Sequence, residues 1–275
     1  MKWDISFMTE EQLTEHIKKT IEKYGDKLES IDLKKFNKNI VDPIKLLFDN
    51  YVYKNTWEQT VKNELFRQRD KANNNDIGYF HQRIFSYFDG CKVPDNGKDG
   101  GWDIIYKNKN GILLPDGSCV HTAYIEMKNK HNTMNSSSAA KTFIKMQSQL
   151  LKDDDCVCIL AEVIAKRSQN IKWETTVEGN KVSHKLIRRI SIDRLYELVT
   201  GESDAFYKIC MQLPKLIIKV VNDSDNGISP NDTVFRELTE MAEKTGLDNN
   251  ETAMAMAVYM LGFSDYIGFA RSEEK

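Results

Sequence analysis

Three residues in the middle of the chain are of the types, and at the spacing, that phosphodiester chemistry uses: Asp103, Glu126 and Lys128. Glu126 and Lys128 flank a single residue in the run His121-Thr122-Ala123-Tyr124-Ile125-Glu126-Met127-Lys128. Alternate side chains of a strand point the same way, so Ala123, Ile125 and Met127 share one face and Tyr124, Glu126 and Lys128 the other. Asp103 stands near the head of a second strand-like run, Trp102-Asp103-Ile104-Ile105-Tyr106. Two carboxylates on neighbouring strands supply what a hard cation such as Mg2+ takes from a protein; water and phosphate oxygens complete its shell. A lysine on the same face orients an attacking water or offsets charge developing on phosphorus. Taken singly, Asp103 reads as a turn cap and Glu126 and Lys128 as a solvated pair. Taken together on one face, they read as a hydrolytic site.

Several elements must position this set. Gly90 to Gly101 is dense in turn formers (Pro94, Asp95, Asn96, Gly97, Asp99, Gly100) and no helix continues through it. The strand at Trp102 follows directly. Lys109-Asn110-Gly111 predicts a tight hairpin turn, with Ile112-Leu113-Leu114 pairing back, and Pro115-Asp116-Gly117 marks another turn. After the Glu126 strand, a polar stretch from Asn129 to Ser138 leads into a helix over Ala139 to Leu151. Cys156 to Ile164 is then a strand of nearly continuous apolar character, as in a buried sheet position. The order is strand, hairpin, strand, helix, strand.

Helices are expected on either side. Thr9-Glu10-Glu11 opens one carrying Leu13, Ile17, Ile21 and Tyr24, ended by Gly25; Asp42-Pro43 opens a second through Leu46 and Phe48; Trp57 to Arg69 is a third. The Asn-rich stretch Lys71 to Asp76 reads as a loop before a helix over Gly78 to Phe88. Downstream, Ile192 to Thr200 closes at Gly201 and Ser203 to Leu213 stops at Pro214. Pro230-Asn231-Asp232 caps a helix bearing Val234, Leu238 and Met241 that ends at Gly246, and Asn250-Glu251 opens the last. The final pair resembles a helix-turn-helix, but its acidity favours simple packing. The organisation expected is a single elaborated domain over 1–275: a helical part (1–89), a catalytic α/β core (90–200) and a C-terminal helical part (201–275).

The chain has 275 residues, 40% hydrophobic and 29% charged, which excludes collagen-like or wholly disordered readings. Its net charge of −2 supplies no bulk cationic field for nucleic acid. The charge is uneven, however: residues 51–200 carry 23 basic and 18 acidic side chains, residues 201–275 carry 7 and 13. Asn129 to Lys152 has no Asp or Glu. Within it, Lys130, Asn132, Asn135, Ser136, Lys141 and Lys145 match the side chains that contact phosphates and base edges. Arg188, Arg189 and Arg194 form a second basic cluster, equally consistent with DNA contact or with covering a helix.

Five cysteines make an odd set in a chain too long to need a disulfide framework, and the N-terminal residues lack a secretory pattern, so a reducing cytoplasm is expected. No run is long enough to span a membrane. Cys156 and Cys158 are expected on one buried strand face. His81, Cys91, Cys119 and His121 do not have the paired spacing of a zinc site.

Asp103 followed by Glu126-Met127-Lys128 resembles the motif of the PD-(D/E)XK nucleases. Gly100-Gly101-Trp102-Asp103-Ile104-Ile105, Tyr124-Ile125-Glu126-Met127-Lys128-Asn129-Lys130 and Tyr79-Phe80-His81-Gln82 resemble, more narrowly, the type II restriction endonucleases that cut GGNCC. The resemblance runs from the first helices to beyond residue 210. It implies an α/β fold with a mixed central sheet flanked by helices, and Mg2+-dependent hydrolysis of double-stranded DNA to leave 5′-phosphates. It further implies a bacterial cytoplasmic enzyme, a homodimer matching a near-palindromic site, and a cognate DNA methyltransferase as functional partner. Asp103 and Glu126 would bind metal and Lys128 assist the water. Pro94-Asp95 lies eight residues before Asp103 in the glycine-rich loop, so the acid is assigned to Asp103. Glu64 is a lesser candidate, because such nucleases often add an acid from an earlier helix; His131, just after the motif, is another. Two alternatives are a repair or junction-resolving nuclease on the same core and a non-catalytic DNA-binding regulator reading through the last helix pair.

Overall fold

The computed structural model describes residues 3–26, 30–223 and 232–263. The chain forms two compact units, one from Met1–Ile21 and Asp76–Asp225, the other from Glu22–Asn75 and Asn226–Lys275. Local composition carries no trace of this interleaving, because what joins the second unit is burial between segments about 200 positions apart.

The first unit is built on a six-stranded mixed sheet in the order β1-β2-β3-β4-β6-β5. Its strands are β1 (Cys91–Lys92), β2 (Ile104–Leu113), β3 (Cys119–Lys130), β4 (Cys156–Ile164), β5 (Asn170–Val177) and β6 (Asn180–Ser191). β3 pairs antiparallel with β2 and parallel with β4, and β4 pairs parallel with β6. The β3-to-β4 crossover is made by α5 (Ser136–Leu150), as a parallel pair requires. β4 is buried from Cys156 to Glu162, so each of Ile159 and Leu160 contributes about 1.5–3 kcal/mol of hydrophobic stabilisation.

The alternation in β3 decides what packs where. Ala123, Ile125 and Met127 enter a core shared with Leu13 and Ile17 of α1 (Glu10–Asp26), with Ile84, Phe85 and Phe88, and with Leu195, Ile209 and Leu216 of α6 (Ile192–Thr200) and α7 (Ala205–Asp223). The opposite face of the sheet packs through Cys158, Leu160 and Ile187 onto Phe143 and Met146 of α5 and onto Trp102. Glu126 and Lys128 therefore look toward α5.

The second unit has its own core, in which Phe36 of α2 (Leu33–Asn37), Leu46 of α3 (Pro43–Val52) and Val61 and Leu65 of α4 (Trp57–Arg83) join Leu238 of α8 (Val234–Glu243) and Val258 of α9 (Asn250–Phe263). The last two helices thus bury their apolar faces in a packing core, as their acidity suggested. Asp232 binds the Arg69 guanidinium at 2.7 Å. Thr233, rather than the expected Pro230-Asn231-Asp232, is the N-cap of α8; Pro230 and Asn231 lie outside the described residues.

Three local expectations are corrected. Lys71 to Asp76 is not a loop: α4 runs unbroken from Trp57 to Arg83. Asn costs under about 0.7 kcal/mol per site against Ala, too little to break a helix containing no proline, and Asn74 bonds Asp70 one turn back at 3.0 Å. Asn110-Gly111 is not a hairpin turn either; β2 continues to Leu113, with an irregular register between Lys107 and Ile112, and turns at Pro115-Asp116-Gly117. Gly111 has φ +87°, and a Cβ there would stand 2.3 Å from Cys119 Sγ, so glycine serves a bulge beside the opposing strand. Pro214 does not end its helix, because α7 continues to Asp223 with Leu216 and Val220 buried beyond it. The antiparallel β5–β6 pair, unexpected from sequence, takes in Arg188, which is buried and bonds Asn170; Arg189 pairs instead with Glu162 of β4, and Arg194 of α6 with Glu197 on the same helix.

Candidate active site

Asp103 stands one residue before β2, where its backbone N–H already bonds Ile125 O of β3 at 3.0 Å. Its side chain is tied to the same strand, Oδ2 accepting from Met127 N–H at 2.7 Å. Gln82, in the last turn of α4, donates from Nε2 to both the Asp103 carbonyl and Oδ1 at 3.2 Å. The aspartate is thereby fixed beside the carboxylate of Glu126.

Glu126 is held between two ammonium groups. Lys128 Nζ donates to Oε1 at 2.8 Å and Lys145 Nζ to Oε2 at 2.9 Å. Lys145 also donates to Gly101 O at 2.7 Å and sits 4.1 Å from the centroid of the Trp102 ring. Its position follows from α5: Phe143 and Met146 are fully buried against the sheet, and Lys145 between them is carried to the helix edge above Glu126. Trp102 is buried and packs against Tyr124 with centroids 5.5 Å apart, so the cation lies over a fixed aromatic surface.

The two carboxylates titrate in opposite directions. Burial, followed by repulsion from Glu126, raises the pKa of Asp103 above 3.8 against the opposing effects of the Met127 N–H, Lys128 and Lys145. Burial also pushes Glu126 upward, but hydrogen bonding and charge from Lys128 and Lys145 outweigh it and leave its pKa below 4.5. Repulsion between two carboxylates marks a place where a divalent cation lowers the energy. The donor set, two carboxylates with further lone pairs available, fits a hard oxygen-seeking ion. Among the described residues no cluster of three or more His, Cys, Asp or Glu exists, so Cys91, Cys119, His81 and His121 do not converge. His121 instead meets Asp155 at 2.8 Å, and Cys156 and Cys158 are both buried in β4.

Four of the residues singled out from sequence are thus together: Asp103, Glu126, Lys128 and Lys145. Lys130, Asn132, Ser136 and Lys141 are exposed on the end of β3, the following loop and the first turns of α5. Lys141 lies one turn before Lys145 on the same helix face. Asn135 is the N-cap of α5, its side chain accepting from Ser138 N–H at 2.8 Å. His131 gives its carbonyl to Arg189 Nη2 at 3.0 Å, while its Nδ1 is buried without a hydrogen-bond partner. Glu64 belongs to the second unit, where it is buried and bound by Arg67 and Gln68.

Sequence reasoning missed two contributions. Gln82 lay within a segment noted for its resemblance, but nothing local signals that a helix end reaches Asp103. Glu162, in register with Lys128 on β4, is buried and paired with Arg189, which anchors the chain just after Lys130.

A mixed sheet that presents two carboxylates and a lysine on one face, beneath a crossover helix, is the core of a restriction-endonuclease-like nuclease. The family model of the Eco47II restriction endonuclease matches residues 5–222, and the chain belongs to that family. It is 29% identical over 275 residues to the type II restriction enzyme Sau96I of Staphylococcus aureus, covering 96% of this chain and 98% of that one. It is 25% identical over 230 residues to the type II restriction enzyme Eco47II of Escherichia coli, covering 80% and 89%. The protein is a type II restriction endonuclease, and the readings as a repair nuclease or a non-catalytic regulator are set aside. No helix among the described residues is long and apolar enough to cross a membrane.

Proposed function

We propose that this enzyme cleaves double-stranded DNA at GGNCC by Mg2+-dependent hydrolysis, leaving 5′-phosphates. The observation that carries the reading is the Glu126 carboxylate clasped by Lys128 and Lys145, with Asp103 fixed beside it through Met127 N–H and Gln82.

Asp103 and Glu126 would hold the metal, which when bound supplies Lewis-acid activation of a phosphate oxygen and of water. Lys128, on the same strand face as Glu126, holds its ammonium where it orients the attacking water and offsets the negative charge the water gains as its proton leaves to solvent. Lys145 keeps a positive charge over the scissile region and offsets charge that develops on phosphorus. Lys130, Asn132, Asn135, Ser136 and Lys141 follow the catalytic strand directly and would take the DNA backbone and base edges. The near-palindromic site argues for a homodimer, each protomer cutting one strand. A cognate DNA methyltransferase would be its functional partner, in a bacterial cytoplasm.

Incubation with a plasmid of known sequence and Mg2+ tests the proposal. Fragments ending at every GGNCC support it; a smear or intact DNA overturns it.

A further inference from the structure

Two segments noted in the sequence have no part in the catalytic cluster beyond Gln82: Tyr79 to Gln82, and Pro94-Asp95. In the first unit they come together as walls of a cavity of about 480 Å³, completed by α1. That volume lies in the range of about 300–1,000 Å³ typical of small-molecule sites. Gln82 is common to the cavity and the active site, since it lines the one and donates to the Asp103 carboxylate in the other. An occupant that touches Gln82 is therefore one side chain away from the Asp103 carboxylate.

The lining defines the occupant's chemistry. Arg83 is held with its guanidinium 4.9 Å from the Tyr79 ring centroid, and the Tyr79 hydroxyl accepts from Asn96 Nδ2 at 3.1 Å. The cation, ring and amide are thus already in place. Lys19 adds a second cation; its contact with Glu15, 3.5 Å away on the same helix, is between exposed groups and competes weakly with a new anion. Buried His16, its Nε2 bonded to Phe80 O at 2.9 Å, supplies a further polar ring to the wall. Asp95 is the single carboxylate of the lining, set against two permanent cations. Lysine and arginine for a phosphate, with a tyrosine face and an amide for sugar and base, are the groups that recognise one nucleotide of a strand.

We propose that this cavity is a subsite for one nucleotide of the bound DNA strand beside the scissile phosphate, with Lys19 and Arg83 on its phosphate. The proposal rests on Asp103, Glu126 and Lys128 being the hydrolytic centre.

The test uses a labelled duplex with one GGNCC, bound with Ca2+ in place of Mg2+, at salt from about 50 to 200 mM. Lys19 and Arg83 are exposed, and the K19A/R83A variant is expected to keep the wild-type circular dichroism and Tm. It should bind about 10–100-fold more weakly, with a salt slope shallower by about 1–2. In wild type, an uncharged methylphosphonate at one phosphate beside the cut should weaken binding, and the same replacement should cost the variant nothing more. Where the wild type cuts, unchanged affinity and slope in the variant, or losses that simply add at every phosphate, overturn the subsite alone. A wild type that does not cut the duplex with Mg2+ overturns the hydrolytic centre, and the subsite with it.

Discussion

Lys145 Nζ donates to Glu126 Oε2 at 2.9 Å, so a helix residue nineteen positions downstream closes the side of the carboxylate that Lys128 leaves open. The two lysines arrive by different routes, one by strand alternation and one by helix packing. Each leaves a different deficit when removed.

Lys145→Met should lower the single-turnover cleavage rate by about 10²–10³, the scale on which a fixed transition-state donor acts, while affinity for the duplex falls much less. Lys141→Ala, one turn away and exposed, should instead weaken binding to all sequences and reduce the salt slope by about 1. Quenched-flow rates beside equilibrium binding separate the two. Equal behaviour of the variants would place Lys145 among ordinary phosphate contacts.

Asp103→Asn and Glu126→Gln should both abolish cleavage yet move stability in opposite directions. The folded pKa of Asp103 is raised, so the native state holds its proton more tightly than the unfolded chain; stability declines as pH rises from 3.8 through the raised value. Neutralising it should raise Tm by about 2–4 °C at pH 7. The pKa of Glu126 is lowered, so its contribution is present above 4.5 and lost as pH falls through the lowered value. Removing its charge leaves Lys128 and Lys145 facing each other and should cost about 1–3 kcal/mol. Differential scanning calorimetry from pH 3 to 8 reads both signs.

Cleavage should fall on the acid side as the two carboxylates protonate, and metal binding should weaken over the same range. A pH–rate profile flat through the carboxylate range would contradict it.

Arg189→Ala should destabilise the first unit by about 3–5 kcal/mol, because it leaves the buried Glu162 carboxylate without its counter-charge and frees the chain at His131. Arg189→Ala combined with Glu162→Gln should recover part of the loss. Chemical denaturation of the three variants measures the coupling.

The face shared by Glu126 and Lys128 was legible because β3 obeys a period of two: Ala123, Ile125 and Met127 are buried, and Glu126 and Lys128 are not. Asp103 was legible from the glycine loop that ends beside it. Helix caps such as Asp42 before Pro43, and Gly201 with φ +77°, were readable for the same reason, that local geometry restricts the residue. Most of what escaped depends on distant partners. The bulge at Gly111 is dictated by Cys119 on the opposing strand; the helix through Lys71 to Asp76 escaped for a local reason, that its asparagines are individually too weak to break it. Neither Gln82 beside Asp103 nor Lys145 beside Glu126 has a signature within a sequence window, because each contact is made by tertiary packing.

The central claim is that the Glu126 carboxylate carries the hydrolysis. The most direct test is the Mg2+-dependent cleavage rate of a duplex with one GGNCC, for wild type and Glu126→Gln at concentrations where both are bound. The account predicts a single cut bearing a 5′-phosphate for wild type and no detectable cut for the variant; cleavage by Glu126→Gln at the wild-type rate would contradict it.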